Sequence, residues 1–251
     1  MTERTPIYAG FSNRRRKLNE LRRAAAAEAY GTFLLTLLGP GSIIMMNYLS
    51  PFGPSNASFG FIGLAHGLAV LGAAYSIGHI SGAHINPAVT IAQWATHRFE
   101  KRKVAPYILA QLLGATLAAL VHLAIWSSTP STYASAKDVF LGNTVPNQSF
   151  GPFVSLMVEV IATAILVFTI FGATDKRSVQ SAAGVAIGLV LSALIWVFGP
   201  ISGASLNPAR TFGPTVASAA FSFSPFADLW IYIVGPVLGG LLGGFLYETV
   251  K

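Results

Sequence analysis

Two asparagines in this chain each open the tripeptide Asn-Pro-Ala, at Asn86-Pro87-Ala88 and at Asn207-Pro208-Ala209. Their flanks repeat as well: Ser81-Gly82-Ala83-His84-Ile85 precedes the first and Ser202-Gly203-Ala204-Ser205-Leu206 the second. Asn before Pro is a helix start, with Asn as the cap and Pro in the first turn. Arg210 follows the second copy directly. Its planar guanidinium can donate to a polar solute while repelling cations. The chemistry on offer is recognition by hydrogen bonds, not bond making. No His-Glu-x-x-His or Gly-x-Ser-x-Gly string is present. His79 and His84 flank a turn without a second pair of ligands, so neither metal nor cofactor is expected. There is no cysteine.

The surrounding elements must place these residues inside a membrane. Of 251 residues, 53% are hydrophobic and 10% charged, against roughly 25% charged in a soluble domain. A spanning helix needs about 20 mostly apolar residues. Stretches of that kind cover residues 24–49, 59–78, 103–126, 150–173, 179–199 and 227–250. Glycines along them, including Gly184-x-x-x-Gly188 and Gly239-x-x-x-Gly243, allow close helix approach. The net charge of +7 reflects topology, not nucleic acid. Arg4, Arg14, Arg15, Arg16, Lys17, Arg22 and Arg23 precede the first span, and Arg98, Lys101, Arg102 and Lys103 follow the first Asn-Pro-Ala segment. All Lys and Arg except Lys137 and Arg210 thus fall on one side, which the positive-inside rule makes cytoplasmic, with both termini there. Residues 1–23 read as a basic cytoplasmic segment and 24–251 as one membrane domain. In it, repeat one (24–126) and repeat two (150–250) are joined by an outer loop, 127–149.

Each half runs span, span, Asn-Pro-Ala segment, span. An odd number of spans per half inserts the halves with opposite orientation. The apolar runs Val89 to His97 and Thr211 to Ala220 are too short to span and suit half-helices. Meeting at the midplane, two such helices point their positive N-terminal ends at the bilayer centre. The irregular backbone before them is tolerated only where it lines a cavity, so a polar path through the membrane follows.

This arrangement resembles the aquaporin and aquaglyceroporin family over nearly all of residues 24–250, most closely in the strings 78–90 and 203–214. The resemblance implies an all-α integral membrane fold: six transmembrane helices and two re-entrant half-helices in an inverted two-fold repeat, assembled as a homotetramer with a pore in each subunit. It implies that Asn86 and Asn207 donate to solute at the midplane. Carbonyls of Gly82, Ala83 and His84, and of Gly203, Ala204 and Ser205, form an acceptor ladder. Glu28 and Glu159 brace the two loops, and Leu35, Val70, Leu166 and Leu191 line the pore. The outer selectivity filter falls on His66, Ile195, Ala204 and Arg210, a set like that of plant vacuolar-type members.

The chain departs from both family branches. Thr211 and Thr215 stand where glycerol channels tend to have Asp and Lys, and Tyr232-Ile233 where water channels have an aromatic pair. The expected function is passive passage of water and small neutral solutes, protons and ions excluded. A water-only channel and a coupled secondary transporter are the alternatives. The expected setting is the plasma membrane, a vacuolar-type membrane being the other possibility.

Overall fold

The computed structural model describes residues 7–50 and 56–251, all of its regular elements being helical among the described residues. Arg4 lies outside them. In chain order the helices are α1 (Ile7–Leu49), α2 (Asn56–Ser81), α3 (Pro87–Ala95), α4 (Lys101–Trp126), α5 (Pro130–Asp138), α6 (Gly151–Ala173), α7 (Ala183–Ser202), α8 (Pro208–Ser218) and α9 (Leu229–Val250). Six of the described helices, α1, α2, α4, α6, α7 and α9, are long and apolar enough to cross a membrane. Their outward faces carry exposed Leu109, Leu113 and Leu117 on α4 and Leu238, Leu242 and Phe245 on α9. In lipid that exposure costs nothing, so packing cannot rest on hydrophobic burial alone.

Close backbone approach replaces it. A Cβ at Gly188 would sit 2.6 Å from the carbonyl oxygen of Gly67, and one at Gly67 would collide with Gly188 in turn, which locks α2 to α7. Side chains at Gly114 and Gly239 would likewise strike the backbone of Ala29 and Val160, so α4 seats on α1 as α9 seats on α6. These are small-residue contacts at equivalent places in the two halves.

The boundaries differ from the sequence reading where capping decides them. The apolar stretch 179–199 ends at Gly199, yet α7 runs on to Ser202 and ends on Gly203, whose φ of 84° is left-handed and whose N–H reaches the Gly199 carbonyl at 2.9 Å. α2 likewise continues to Ser81, closed by Gly82 N–H on the Gly78 carbonyl. α1 begins well before the first apolar run, because Arg, Lys, Leu, Glu and Ala are good helix formers. At about 1.5 Å per residue its 43 residues exceed any bilayer. Within it Pro40 removes a backbone donor, and His122 of α4 donates to the nearby Leu37 carbonyl at 2.9 Å. The connection 127–149 is not simply a loop. It carries α5, started by a capping box between Thr129 and Thr132 with Pro130 in the first turn. The face bearing α5 is called outer, as a label for that side alone.

Candidate functional site

α3 and α8 are short helices that meet end to end. Asn86 caps α3, its Oδ1 accepting from Ala88 N–H at 2.9 Å. Asn207 caps α8, accepting from Ala209 N–H at 3.0 Å and Arg210 N–H at 3.3 Å. Each amide then crosses to the other loop. Asn86 Nδ2 donates to the Leu206 carbonyl at 2.7 Å, and Asn207 Nδ2 to the Ile85 carbonyl at 2.8 Å. This reciprocal pair brings the two N-termini face to face. Each Nδ2 keeps a second hydrogen, and both asparagines line a cavity of about 390 Å³.

The loops before these helices adopt a backbone that needs outside help. Gly82, Ala83 and Ile85 have φ of 89°, 49° and 44°, and Gly203, Ala204 and Leu206 have 84°, 44° and 55°. Left-handed non-glycine residues cost free energy and persist only where their surroundings hold them. Two buried glutamates do so. Glu28 Oε1 accepts from Ser81 Oγ at 2.7 Å and His84 N–H at 2.9 Å, and its Oε2 from Ile85 N–H at 2.6 Å and Gln111 Nε2 at 2.7 Å. Glu159 Oε1 accepts from Ser202 Oγ at 2.8 Å and Ser205 N–H at 2.9 Å, and its Oε2 from Leu206 N–H at 2.8 Å. With the amides bound behind, the carbonyls of Gly82, Ala83, His84, Gly203, Ala204 and Ser205 accept nothing from other described residues. Gly82, Ala83, His84 and Ser205 line the same cavity as the asparagines, Gly203 lines a second, outer cavity, and Ala204 is buried in the wall.

The inner cavity runs from Thr174 and Gln180 of the α6–α7 connection to His66 and Arg210, past Leu35, Val70, Leu166 and Leu191. Beyond it lies the outer cavity, about 310 Å³, lined by Phe59, Ile62, Asn143 and Ile195. The set His66, Ile195, Ala204 and Arg210 therefore stands where one cavity gives way to the other. Arg210 is 1% exposed. Its Nε donates to His66 Nε2 at 3.2 Å, while His66 Nδ1 lies 2.8 Å from the Ile62 carbonyl. A carbonyl only accepts and a guanidinium only donates, so the proton sits on Nδ1 and Nε2 is the acceptor. Both ring nitrogens are spent on protein. The ring occupies a slot that a side chain at Gly39 would fill. Arg210 Nη1 has no partner among the described residues. The guanidinium, not the imidazole, holds the free donors here.

Sequence reasoning missed a further shell of supports. Ser81 and Ser202 tie each turn to its glutamate and also accept from Ala83 N–H at 3.1 Å and Ala204 N–H at 3.0 Å. They stood within the repeated flanks, which was signal enough. Tyr107 and Tyr232 donate to the Ser81 and Ser202 carbonyls at 2.9 and 2.6 Å. Aligning the last span of each half would have found them. Gln111 donates to Thr90 Oγ1 at 3.0 Å as well as to Glu28. On the outer side Thr144 lies 2.6 Å from Thr211 Oγ1, which is 2.6 Å from Ser205 Oγ, and Asn143 donates to Thr215 at 2.9 Å. Nothing in a presumed loop pointed to Asn143 or Thr144. Among the described residues no group of three or more His, Cys, Asp or Glu could hold a metal.

Comparison with known proteins agrees with this geometry. The family model described as "Major intrinsic protein" matches residues 15–247. Aquaporin AqpM of Methanothermobacter thermautotrophicus is 38% identical over 246 residues, covering 91% of this chain and 97% of the relative. A probable aquaporin of NIP type from Nicotiana alata is 38% identical over 226 residues, covering 90% of this chain and 76% of its own. Among solved structures, the aquaglyceroporin from Plasmodium falciparum superposes with a TM-score of 0.83 at 26% identity, covering 92% of this chain and 96% of that one.

Proposed function

This chain belongs to the major intrinsic protein family, and from that premise we infer that it is a passive membrane channel for water and small neutral solutes which excludes protons and other ions. It is an integral membrane channel and not an enzyme. The observation that carries the exclusion is the reciprocal pair Asn86 Nδ2 to Leu206 and Asn207 Nδ2 to Ile85. It sets two helix N-termini, each with partial positive charge, against the same stretch of pore. A water molecule there accepts from the free asparagine hydrogens and donates outward to the carbonyl ladders. Its neighbours on the two sides are thereby oriented oppositely, and a cation meets positive ends from both directions.

Selection falls to the ring of His66, Ile195, Ala204 and Arg210. With both imidazole nitrogens engaged, Arg210 supplies the donors, and the remaining walls are apolar or small. A solute must present an acceptor, carry no positive charge and tolerate an aliphatic wall. Glu28 and Glu159 support the loops and do not touch solute. A coupled transporter would need a carboxylate free to bind an ion. Those within the spans are taken: Glu28 and Glu159 by the loops, and Glu248 by Arg98 at 2.6 Å. One channel unit, residues 24–251, is read as one of four in a homotetramer, with both termini cytoplasmic in a plasma membrane.

Stopped-flow light scattering on proteoliposomes tests the reading with water, glycerol, urea and ammonia in turn, beside a pH-sensitive dye inside the vesicles. Water flow and passage of at least one neutral solute, with no proton flux, is the expected result. Proton flux that rises with water permeability would overturn it.

A further inference from the structure

Opposite the outer face, the basic extension of α1 and the start of α4 stand apart across a cleft of about 850 Å³. Lys17 lines one wall, Arg102 and Lys103 the other. Glu20 and Glu100 line the cleft as well, and both are already engaged. Glu20 pairs with Arg16 at 3.0 Å, and Glu100 with Arg102 at 2.6 Å and Lys103 at 2.7 Å. Hydrogen bonds from Lys103 and then Arg102 hold the Glu100 carboxyl below its ordinary range, so it stays charged and committed. Lys17 has no carboxylate partner among the described residues, nor do Arg22 and Arg23 just beyond it. Two walls with surplus cations repel each other across open space unless an anion bridges them.

The cleft is not uniformly polar. Leu18 and Ile80 line it and are 47% and 42% exposed, and Leu21 and Ala24 continue that apolar side toward the first span. A water-soluble anion would leave this surface bare, and a second copy of the same basic face would add to the repulsion. The combination of a cationic rim and an apolar wall running into the bilayer fits one kind of molecule. We propose that this cleft binds an anionic phospholipid, its phosphate between Lys17 and the Arg102–Lys103 pair and the start of its acyl chains against Leu21 and Ile80. Juxtamembrane cations attract such headgroups; here they also enclose a volume of pocket size. The site goes beyond the channel reading and stands apart from the pore. Tyr107 links the two, lining the cleft while its hydroxyl holds the Ser81 carbonyl.

The test is native mass spectrometry of the purified chain in an equimolar mixture of phosphatidylglycerol and phosphatidylcholine with identical acyl chains. Phosphatidylglycerol should be retained in preference. Lys17→Gln should lower that preference about fivefold, as expected for one cation at a membrane surface, and Lys17→Glu further. Lys176→Glu, in the exposed α6–α7 connection, should leave it unchanged. Lys17 is exposed, so neither change disturbs packing, and water permeability of both variants verifies the fold. Equal retention of the two lipids would overturn the proposal, as would an equal loss in Lys176→Glu, which marks general attraction. Displacement of the lipid by millimolar glycerol phosphate would make the cleft a soluble-anion site and reject the lipid.

Discussion

The register that lays Asn86 on Asn207 lays each member of the outer ring on a residue of the inner half-channel: His66 on Ile187, Ile195 on Ala74, Ala204 on Ala83 and Arg210 on Val89. All four counterparts line the inner cavity. One ring holds a buried guanidinium fixed by an imidazole, and the other is aliphatic throughout. Yet the backbones beneath them are nearly the same. Ala83 and Ala204 have φ of 49° and 44°, and each loop hangs on a glutamate, a serine and a tyrosine in matching positions. The difference separates two kinds of constraint. Residues that hold the loops recur in both halves, because each half must satisfy the same buried amides. The residues proposed to sort solutes occur once, as one filter in series requires.

The largest effect should come from breaking the shared part. Glu28→Ala strands Ser81 Oγ, two backbone N–H groups and Gln111, and Glu159→Ala strands Ser202 Oγ and two backbone N–H groups. Each buried orphan costs about 1–3 kcal/mol. Both variants should therefore lose several times that unit of stability and most of their water flow, read by thermal unfolding in detergent and by stopped flow. If one glutamate proved dispensable while the other did not, the two braces would not be equivalent.

Next comes Arg210→Val, which gives the outer ring the residue of the inner one. Water flow should persist, while urea or glycerol permeability rises about tenfold, the equivalent of about 1.4 kcal/mol in barrier, and protons begin to leak. The reverse change, Val89→Arg, adds a second cation where no imidazole waits to receive it. It should depress all fluxes. Unchanged selectivity in a well-folded Arg210→Val channel would show that the asymmetry of the rings does not set the filter.

The duplicated part of this design was also the part legible from sequence. Asn-Pro-Ala is written out twice, so the half-helices, their caps and the opposed halves followed from spacing and from the arithmetic of span lengths. Glu28 and Glu159 stood out because carboxylates are rare in spans. The helix ends at Ser81 and Ser202 did not, since each helix runs three residues beyond the apolar stretches 59–78 and 179–199 before a left-handed glycine, Gly82 or Gly203, stops it. The supports that occur once were invisible for a different reason. Asn143 and Thr144 lie in a connection without pattern and Gln111 is a single polar residue in the apolar stretch 103–126, and only folding brings them to Thr215, Thr211 and Thr90. The filter ring lay between these cases. Its members were placed by family resemblance, but the direction of the His66–Arg210 bond needed coordinates.

His66→Ile probes that bond by copying Ile187. The Arg210 Nε would lose its acceptor and the guanidinium its fixed orientation, while the charge remains. Proton exclusion should therefore survive, and only neutral-solute discrimination should relax, by less than in Arg210→Val. His66→Gln offers a carbonyl oxygen in place of the imidazole acceptor and should recover part of the loss. Urea-to-water permeability ratios across the three variants make the comparison. A proton leak in His66→Ile equal to that of Arg210→Val would mean that orientation, not charge, excludes protons at this ring.

The smallest expected effect, that of Thr144→Val, comes from a pair of supports that differ at matched positions. Thr90 and Thr211 are equivalent in the repeat, but Gln111 of α4 reaches the first and Thr144 of the outer connection the second. In the register that pairs Tyr107 with Tyr232, the position of Gln111 falls on Pro236, which has no donor to give. Gln111 also serves the Glu28 carboxylate, so Gln111→Leu removes a hydrogen bond to a carboxylate, worth about 1.5–3 kcal/mol. Thr144→Val removes one hydroxyl, worth about 0.5–1.5 kcal/mol, and leaves Thr211 its contact with Ser205. Thermal unfolding should rank them in that order. Permeability should rank them in reverse, because Thr144 packs on Gly203 at the outer ring whereas Gln111 lies behind the inner loop. A Thr144→Val channel with parental solute ratios would assign the outer connection to stability alone, and leave the filter's shape to the glutamate brace that both halves share.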